Sequence, residues 1–351
     1  MLATLSRHFR GSLIFSVLCL ALAAAYGWNE THSLAATGSI LWVVVVLAVL
    51  EVSLSFDNAV VNATVLKDMD EVWRKRFLTW GMVFAVFGTR VLFPLLIVGI
   101  TAGLGPIEAL HFSLSEQRKY EEIMHHAHIP IAGFGGAFLA MVGLGFFLDP
   151  DKDTHWLSWL EIRLKLVGSV KAAEVGLLLL ALVLIGRALP EAEALSLLVS
   201  GIYGIITFIA VEALGHWLEN REAARAVAGA AVRSGLGAFL YLNVLDSSFS
   251  LDGVIGAFAL SNNMVIIALG LSIGALFVRS LTIMLVEQGT LSEYRYLEHG
   301  AFWAIIALAG IMLISALVEV PEPITGLIGA VLIGAALWAS VRSRRAEAAP
   351  G

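Results

Sequence analysis

The chain of 351 residues is 59% hydrophobic and 14% charged, with a net charge of −6, against the roughly 45–50% apolar and roughly 25% charged of an ordinary soluble domain. Its natural solvent is a bilayer, and without a basic stripe it offers no footprint for nucleic acid. The single cysteine, Cys19, excludes a disulfide framework and a thiolate metal centre.

A helix needs about 20 mostly apolar residues to cross the hydrocarbon core. By that measure there are ten candidate spans, near residues 12–28, 38–60, 78–103, 130–148, 172–189, 195–218, 236–259, 264–287, 301–319 and 322–341. The expected fold is an all-α polytopic transmembrane bundle. Short cytoplasmic loops are enriched in Lys and Arg, and with the N-terminus inside the inner segments collect almost all of them. Only Arg118, Lys119 and Arg187 fall in outer loops, and only Arg90 and Arg279 fall within spans. Both ends are therefore expected in the cytoplasm. The first span also reads as a secretory signal peptide, with Arg7 and Arg10 before an apolar stretch and the small residues Ala21 and Ala23 to Ala25 within it. Its cleavage would leave nine spans.

In chain order, residues 1–37 form a signal-anchor span and outer loop, and 38–148 a first repeat unit. Residues 149–235 supply connecting spans and cytoplasmic loops, 236–341 a second repeat unit, and 342–351 a short cytoplasmic tail. The repeat is carried by two acidic motifs, Glu51-Val-Ser-Leu-Ser-Phe-Asp57-Asn58 and Asp246-Ser-Ser-Phe-Ser-Leu-Asp252-Gly253. They align without a gap as acid, Ser, large apolar, Ser, large apolar, Asp, and Val60 and Ile255 extend the match. They fall in the second and seventh spans, so one runs inward and the other outward. Inverted repeats of this kind place a transporter's substrate site near the midplane. Intramembrane acids cost at least about 2.5 kcal/mol each on insertion scales and persist where something compensates them.

At about 100° per residue, Glu51, Ser55, Asn58 and Asn62 share one helical stripe, while Ser53 and Asp57 lie on another. Either each motif helix faces two polar neighbours, or it is broken so that backbone carbonyls join the carboxylates, with Asn58 and Gly253 standing where a break would be tolerated. The candidate metal ligands are Glu51, Asp57, Asn58, Asp246 and Asp252, supported by Ser53, Ser55, Asn62, Ser248 and Ser250. Hard oxygen donors with no Cys, His or Met suit Mg²⁺, Ca²⁺ or Mn²⁺. Arg90 and Arg279 each follow a motif by one helix and are candidate counter-charges. With all four acids ionised, the two arginines leave a charge matching one divalent cation, and a metal-free site would favour proton uptake. Exchange of metal for protons follows as an expectation.

Other features read as structural. The outer loop 104–129 holds Glu108, His111, Glu116, Glu121, Glu122, His125, His126 and His128 without structural-zinc spacing, and is expected to be solvated and partly helical. Residues 61–77 read as a solvated inner loop. Gly133, Gly136, Ala137, Ala140 and Gly143 are small residues spaced for close helix packing. Glu212 and His216, one turn apart, fit either an interfacial position or a proton relay.

The paired motifs, Glu51-x-Ser-Leu-Ser-Phe-Asp57-Asn58 and Asp246-x-x-Phe-Ser-Leu-Asp252, resemble the signatures of the TerC family within the LysE-like transporter group, including its branch of unknown-function integral membrane proteins. Gly253, where that family usually has Ser, and the acidic, His-rich outer loop depart from the pattern. The resemblance implies a multi-pass inner-membrane protein linked to manganese export, and to tellurium resistance by the family's name. A carboxylate-lined site repels an oxyanion, so any effect on tellurite is expected to be indirect.

The leading expectation is a divalent-cation exporter, Mn²⁺ above others, working by alternating access, with the ion as substrate and no permanently bound cofactor. Its partners are the metal ion and membrane lipid, and homo-oligomerisation is left open. The alternative is a non-transporting membrane component of a tellurium-resistance or metal-stress complex. An enzyme is not expected: no Gly-x-Gly-Asp precedes the second motif's Asp252, as an intramembrane aspartyl hydrolase would require.

Overall fold

The structure, a computed structural model, describes residues 2–81, 83–84, 88, 92, 95, 104–116, 119, 122–123, 126–149, 152–168, 172–226, 235–257, 260–261, 263–318 and 320–347. Side chains are described for all of these except 2–7, 68, 106, 114, 166–167, 216, 218–226, 250–256, 291–292, 322–323, 325–326 and 346–347. The third expected span and Arg90 fall almost wholly outside this set.

The described chain is helical, with no strand among the described residues. In order run α1 (Leu2–Thr31), α2 (Leu34–Leu54), α3 (Phe56–Asp68) and α4 (Glu71–Arg76), which passes into a π-helical turn, Phe77–Gly81. Then come α5 (Pro106–Ser115), α6 (His128–Leu148), α7 (Ser158–Gly168), α8 (Ala173–Gly186), α9 (Glu191–Ala226) and α10 (Leu236–Ala257). The last are α11 (Met264–Glu287), α12 (Thr290–Glu293), α13 (Leu297–Ser315) and α14 (Glu322–Glu347). Seven of these, α1, α2, α6, α9, α11, α13 and α14, contain stretches long and apolar enough to cross a membrane. Large apolar side chains such as Val17, Trp42, Leu195, Ile314 and Val331 stand exposed on them, as the hydrocarbon core favours and water does not. The protein is an all-α polytopic membrane protein.

Side-chain caps fix several starts. Ser33 accepts from the Ala36 amide, Asp70 from Val72 and Trp73, and Asn263 from Val265 and Ile266, each satisfying an N–H that the first helical turn leaves open. Asn263 also donates to the Tyr26 hydroxyl at 2.6 Å. Together with the Ser12 hydroxyl, which bonds Ser280 and the Leu276 carbonyl at 2.7 Å each, this ties α1 to α11.

Two apolar clusters organise the bundle. One gathers α1, α2 and α11 around Cys19, Val44, Leu47, Ile267 and Leu271. The other gathers α3, α6, α8, α9, α10 and α13 around Val61, Leu66, Phe138, Leu182, Leu242 and Ile305. The glycines of α6 work as the sequence predicts: a methyl on Gly136 would meet Leu313 of α13, and one on Gly133 would meet Ser200 of α9. The inner-loop expectation for 61–77 is corrected. Val61, Ala63 and Leu66 give the extension of α3 an apolar face buried in the larger cluster, so the helix runs on from the expected end of the span at residue 60 to Asp68.

A strap before α7 is held by one carboxylate. Glu161, 1% exposed, accepts from the Leu157 and Trp156 amides at 3.0 and 3.3 Å, Trp303 Nε1 at 3.2 Å and Lys152 Nζ at 3.3 Å. Lys152 lies over the rings of Phe146 and Phe147, and His299 Nε2 donates to the Thr154 carbonyl at 2.7 Å. Burial pushes the Glu161 carboxyl upward, but the Leu157 and Trp303 hydrogen bonds and the charges of Lys152 and His299 together hold it below the usual carboxylate range.

Candidate functional site

The first motif straddles a break. Helix α2 ends at Leu54, and Ser55 (φ −104°, ψ 16°) precedes α3. The expected alternatives put a break at Asn58 or Gly253; the break instead falls at Ser55, and α10 runs through Gly253 unbroken. The reason lies in the packing, because α2 belongs to the smaller apolar cluster and α3 to the larger, and Ser55 is where the chain passes between them. The pairs Ser55 N to Glu51 O (3.0 Å) and Ala59 N to Ser55 O (3.2 Å) keep the backbone satisfied across the bend. As a result Asp57 stands in the first turn of α3, where the helix dipole favours negative charge, and its Oδ1 accepts from the Asn58 amide at 2.9 Å.

The centre forms where α3 meets α10. Asp246 Oδ1 accepts from Asn58 Nδ2 at 2.8 Å and from Asn62 Nδ2 at 3.3 Å. All three side chains are buried, the two asparagines at 2% exposure. An ionised carboxylate only accepts, so the amide nitrogens must face it. That orientation leaves Asn58 Oδ1 and Asn62 Oδ1 buried with no hydrogen-bond donor among the described residues. Each such acceptor costs about 1–3 kcal/mol unless something satisfies it.

The helical stripe foreseen from spacing sorts the remaining residues. Glu51, 2% exposed, accepts from the Ser55 hydroxyl at 3.0 Å and lies against Gly274 of α11, where a methyl would stand 2.5 Å from Glu51 Cβ. Asp57 turns the other way, its Oδ2 against Gly329 of α14. Ser53 is exposed and bonds back to the Val49 carbonyl at 2.9 Å. It faces an open apolar groove with Ser16, Val45, Val52, Ile273 and Phe277, so its supporting role is withdrawn: 100° steps put it on the outer face of α2. Ser248 is buried and bonds its own helix at the Val244 carbonyl. The side chains of Ser250 and Asp252 lie outside the described residues, as does Arg90. Arg279 Nε donates to the Leu78 carbonyl at 2.8 Å, a backbone partner rather than the motif acid expected of a counter-charge, because the π-helical turn at Phe77–Gly81 brings that carbonyl to α11.

Among the described residues no three His, Cys, Asp or Glu converge as a metal-binding group. The groups that do converge are one carboxylate and two amides whose nitrogens face it, with no thiolate or imidazole to favour zinc or copper. In the outer loop, Glu108 accepts from the Gly105 amide at 3.0 Å to cap α5, Glu116 pairs with Lys119, and His128 Nε2 bonds the Ser315 hydroxyl. Glu121 and His125 lie outside the described residues. Glu212 is exposed and the His216 side chain is not described, so that pair gains no role.

Sequence reasoning missed Gly274 and Gly329, which let α11 and α14 approach the two first-motif acids; the Gly270-x-x-x-Gly274 spacing was the available signal. It also missed Glu161.

No curated protein and no solved structure matched the chain significantly. Residues 56–347 match the family described as a protein of unknown function, DUF475, a stretch that begins beside the Ser55 break and takes in Asn58, Asn62 and the whole second motif. The chain belongs to the DUF475 family.

Proposed function

We propose that the protein is a membrane transporter exporting a hard divalent cation, with Mn²⁺ the best fit, by alternating access around the two acidic motifs. One observation carries the reading: the two buried asparagines that donate to Asp246 at the contact of α3 and α10 each keep an amide oxygen without a donor among the described residues. A buried acceptor without a donor gains from a cation. The discontinuity at Ser55 supports it as well, since transporters commonly build midplane ion sites from broken helices. Helix α3 carries the end of the first motif and α10 the second, and the two belong to the expected inverted halves, so rocking one half on the other would open the same site to either side. The resemblance to the TerC family favours manganese among the hard cations and the inner membrane as location, and the Lys and Arg distribution of the loops favours both termini in the cytoplasm. Proton exchange is part of the proposal: Asp246 keeps its charge on the two asparagine amides, and the remaining motif acids are the groups that would take up a proton when the cation leaves a low-dielectric medium.

The test is cellular manganese, measured by elemental mass spectrometry after Mn²⁺ challenge, in export-deficient cells. They carry empty vector, the intact protein or an equally expressed Asp57→Ala/Asp252→Ala variant. Lowered manganese with the intact protein alone is expected; equal levels for intact protein and vector would remove the manganese assignment.

A further inference from the structure

Asn58 and Asn62 lie one turn apart on α3 and present their amide nitrogens to the same oxygen of Asp246. We propose that the two side chains act as amide rotors, donating to Asp246 when no cation is bound and turning end for end to ligate the cation through Oδ1 when one is. The inference rests on the cation-transport reading and adds how one set of residues serves both the loaded and the empty carrier.

The chemistry follows from what each group offers. Asp246 accepts only, so in the cation-free form its charge is met by two charge-assisted N–H bonds. A cation entering beside Asp246 Oδ1 reverses the local field, repelling the two NH₂ groups and attracting the two carbonyl oxygens. The terminal torsion of asparagine joins an sp³ to an sp² atom and is broad and roughly two-fold. A half-turn therefore exchanges nitrogen and oxygen within nearly the same volume, without moving the backbone. After the turn three hard oxygens, Asp246 Oδ1, Asn58 Oδ1 and Asn62 Oδ1, face one point, a partial shell for a hard cation. The donorless oxygens, on side chains 2% exposed, are then the ligands of the loaded state held in reserve. An Asp in either position would lack the donor, and an aliphatic residue would lack both functions.

Infrared difference spectroscopy on the full-length protein in liposomes, labelled with ¹³C-asparagine and recorded with and without Mn²⁺, tests this. Binding is followed separately by loss of the free Mn²⁺ paramagnetic resonance signal. The expected result is a Mn²⁺-induced shift of asparagine carbonyl bands to lower frequency that disappears in an Asn58→Leu/Asn62→Leu variant. Mn²⁺ binding with unchanged asparagine bands overturns the rotor while leaving the cation site standing; failure of the wild-type protein to bind Mn²⁺ removes both. Should the double variant not fold, Asn62→Asp answers instead, because Asp can ligate but not donate. Mn²⁺ affinity equal to wild type or about tenfold tighter is expected, and affinity tenfold weaker contradicts the rotor.

Discussion

Glu161 and Asp246 are both carboxylates buried in an apolar chain, at 1% and 6% exposure, yet their surroundings are built to different ends. Around Glu161 two backbone amides, an indole and a lysine all donate, and they come from the strap and from α13. Around Asp246 the neighbours are amides that donate with one end and leave the other without a donor. Burial of charge is common to both, and His299 Nδ1 near Glu161 is also left without a partner among the described residues; peculiar to the second is that the side chains donating to the carboxylate themselves carry the oxygens left over. The first arrangement uses its interactions to hold residues 152–157 to α13, whereas the second leaves two amide oxygens without donors among the described residues, the capacity the proposed cation would use.

The comparison breaks most visibly if stability and transport do not separate. Asp246→Ala is expected to reduce Mn²⁺ efflux per folded molecule about a hundredfold, the upper end of what loss of a group supporting a metal site costs, and to lower the thermal transition as well, since the Asn58 and Asn62 amides lose their acceptor. Glu161→Ala should lower the transition without that loss of flux. Removing one partner of a buried charged network costs about 3–5 kcal/mol, read as a lowered unfolding temperature and as faster hydrogen exchange in 152–157, while flux per folded molecule at low temperature stays near wild type. The effect of acid is smaller. Since the folded Glu161 carboxyl lies below its ordinary value of 4.5, its stabilisation is fully present above that pH and is lost as pH falls through the folded value. Exchange in the strap should therefore rise only in that acid range, and Glu161→Gln should abolish the acid-dependent step. Smallest of all is Ser53→Ala, on the exposed face of α2: flux and stability are expected to match wild type, and a large loss of flux would return Ser53 to the site.

Particular residues show how far the sequence could be read. Apolar run lengths placed α6 and α11 within a few residues, because a span's length is set by the bilayer rather than by its neighbours. Helical periodicity separated Glu51, Ser55, Asn58 and Asn62 from Ser53 and Asp57, and the structure keeps that separation. The pairing of Asn58 and Asn62 with Asp246 was not legible in the same detail, since it depends on the rotation of α3 against α10, which no local pattern encodes. The bend at Ser55 was misplaced for a related reason: it arises where the chain changes packing partners, not where a residue tolerates unusual dihedrals. Glu161 went unnoticed because its donors lie on the backbone and on Trp303, far along the chain. Lys67 and Glu298, paired at 3.3 Å, likewise join α3 to α13 across a separation that periodicity does not see.

The central claim is that the α3–α10 contact binds and carries a cation, and Mn²⁺ flux into liposomes containing only the purified protein tests it most directly. Wild-type protein should transport Mn²⁺ and the folded Asp246→Ala variant should not. Equal flux from the two, or no cation flux from wild-type protein shown to be folded, would contradict the account.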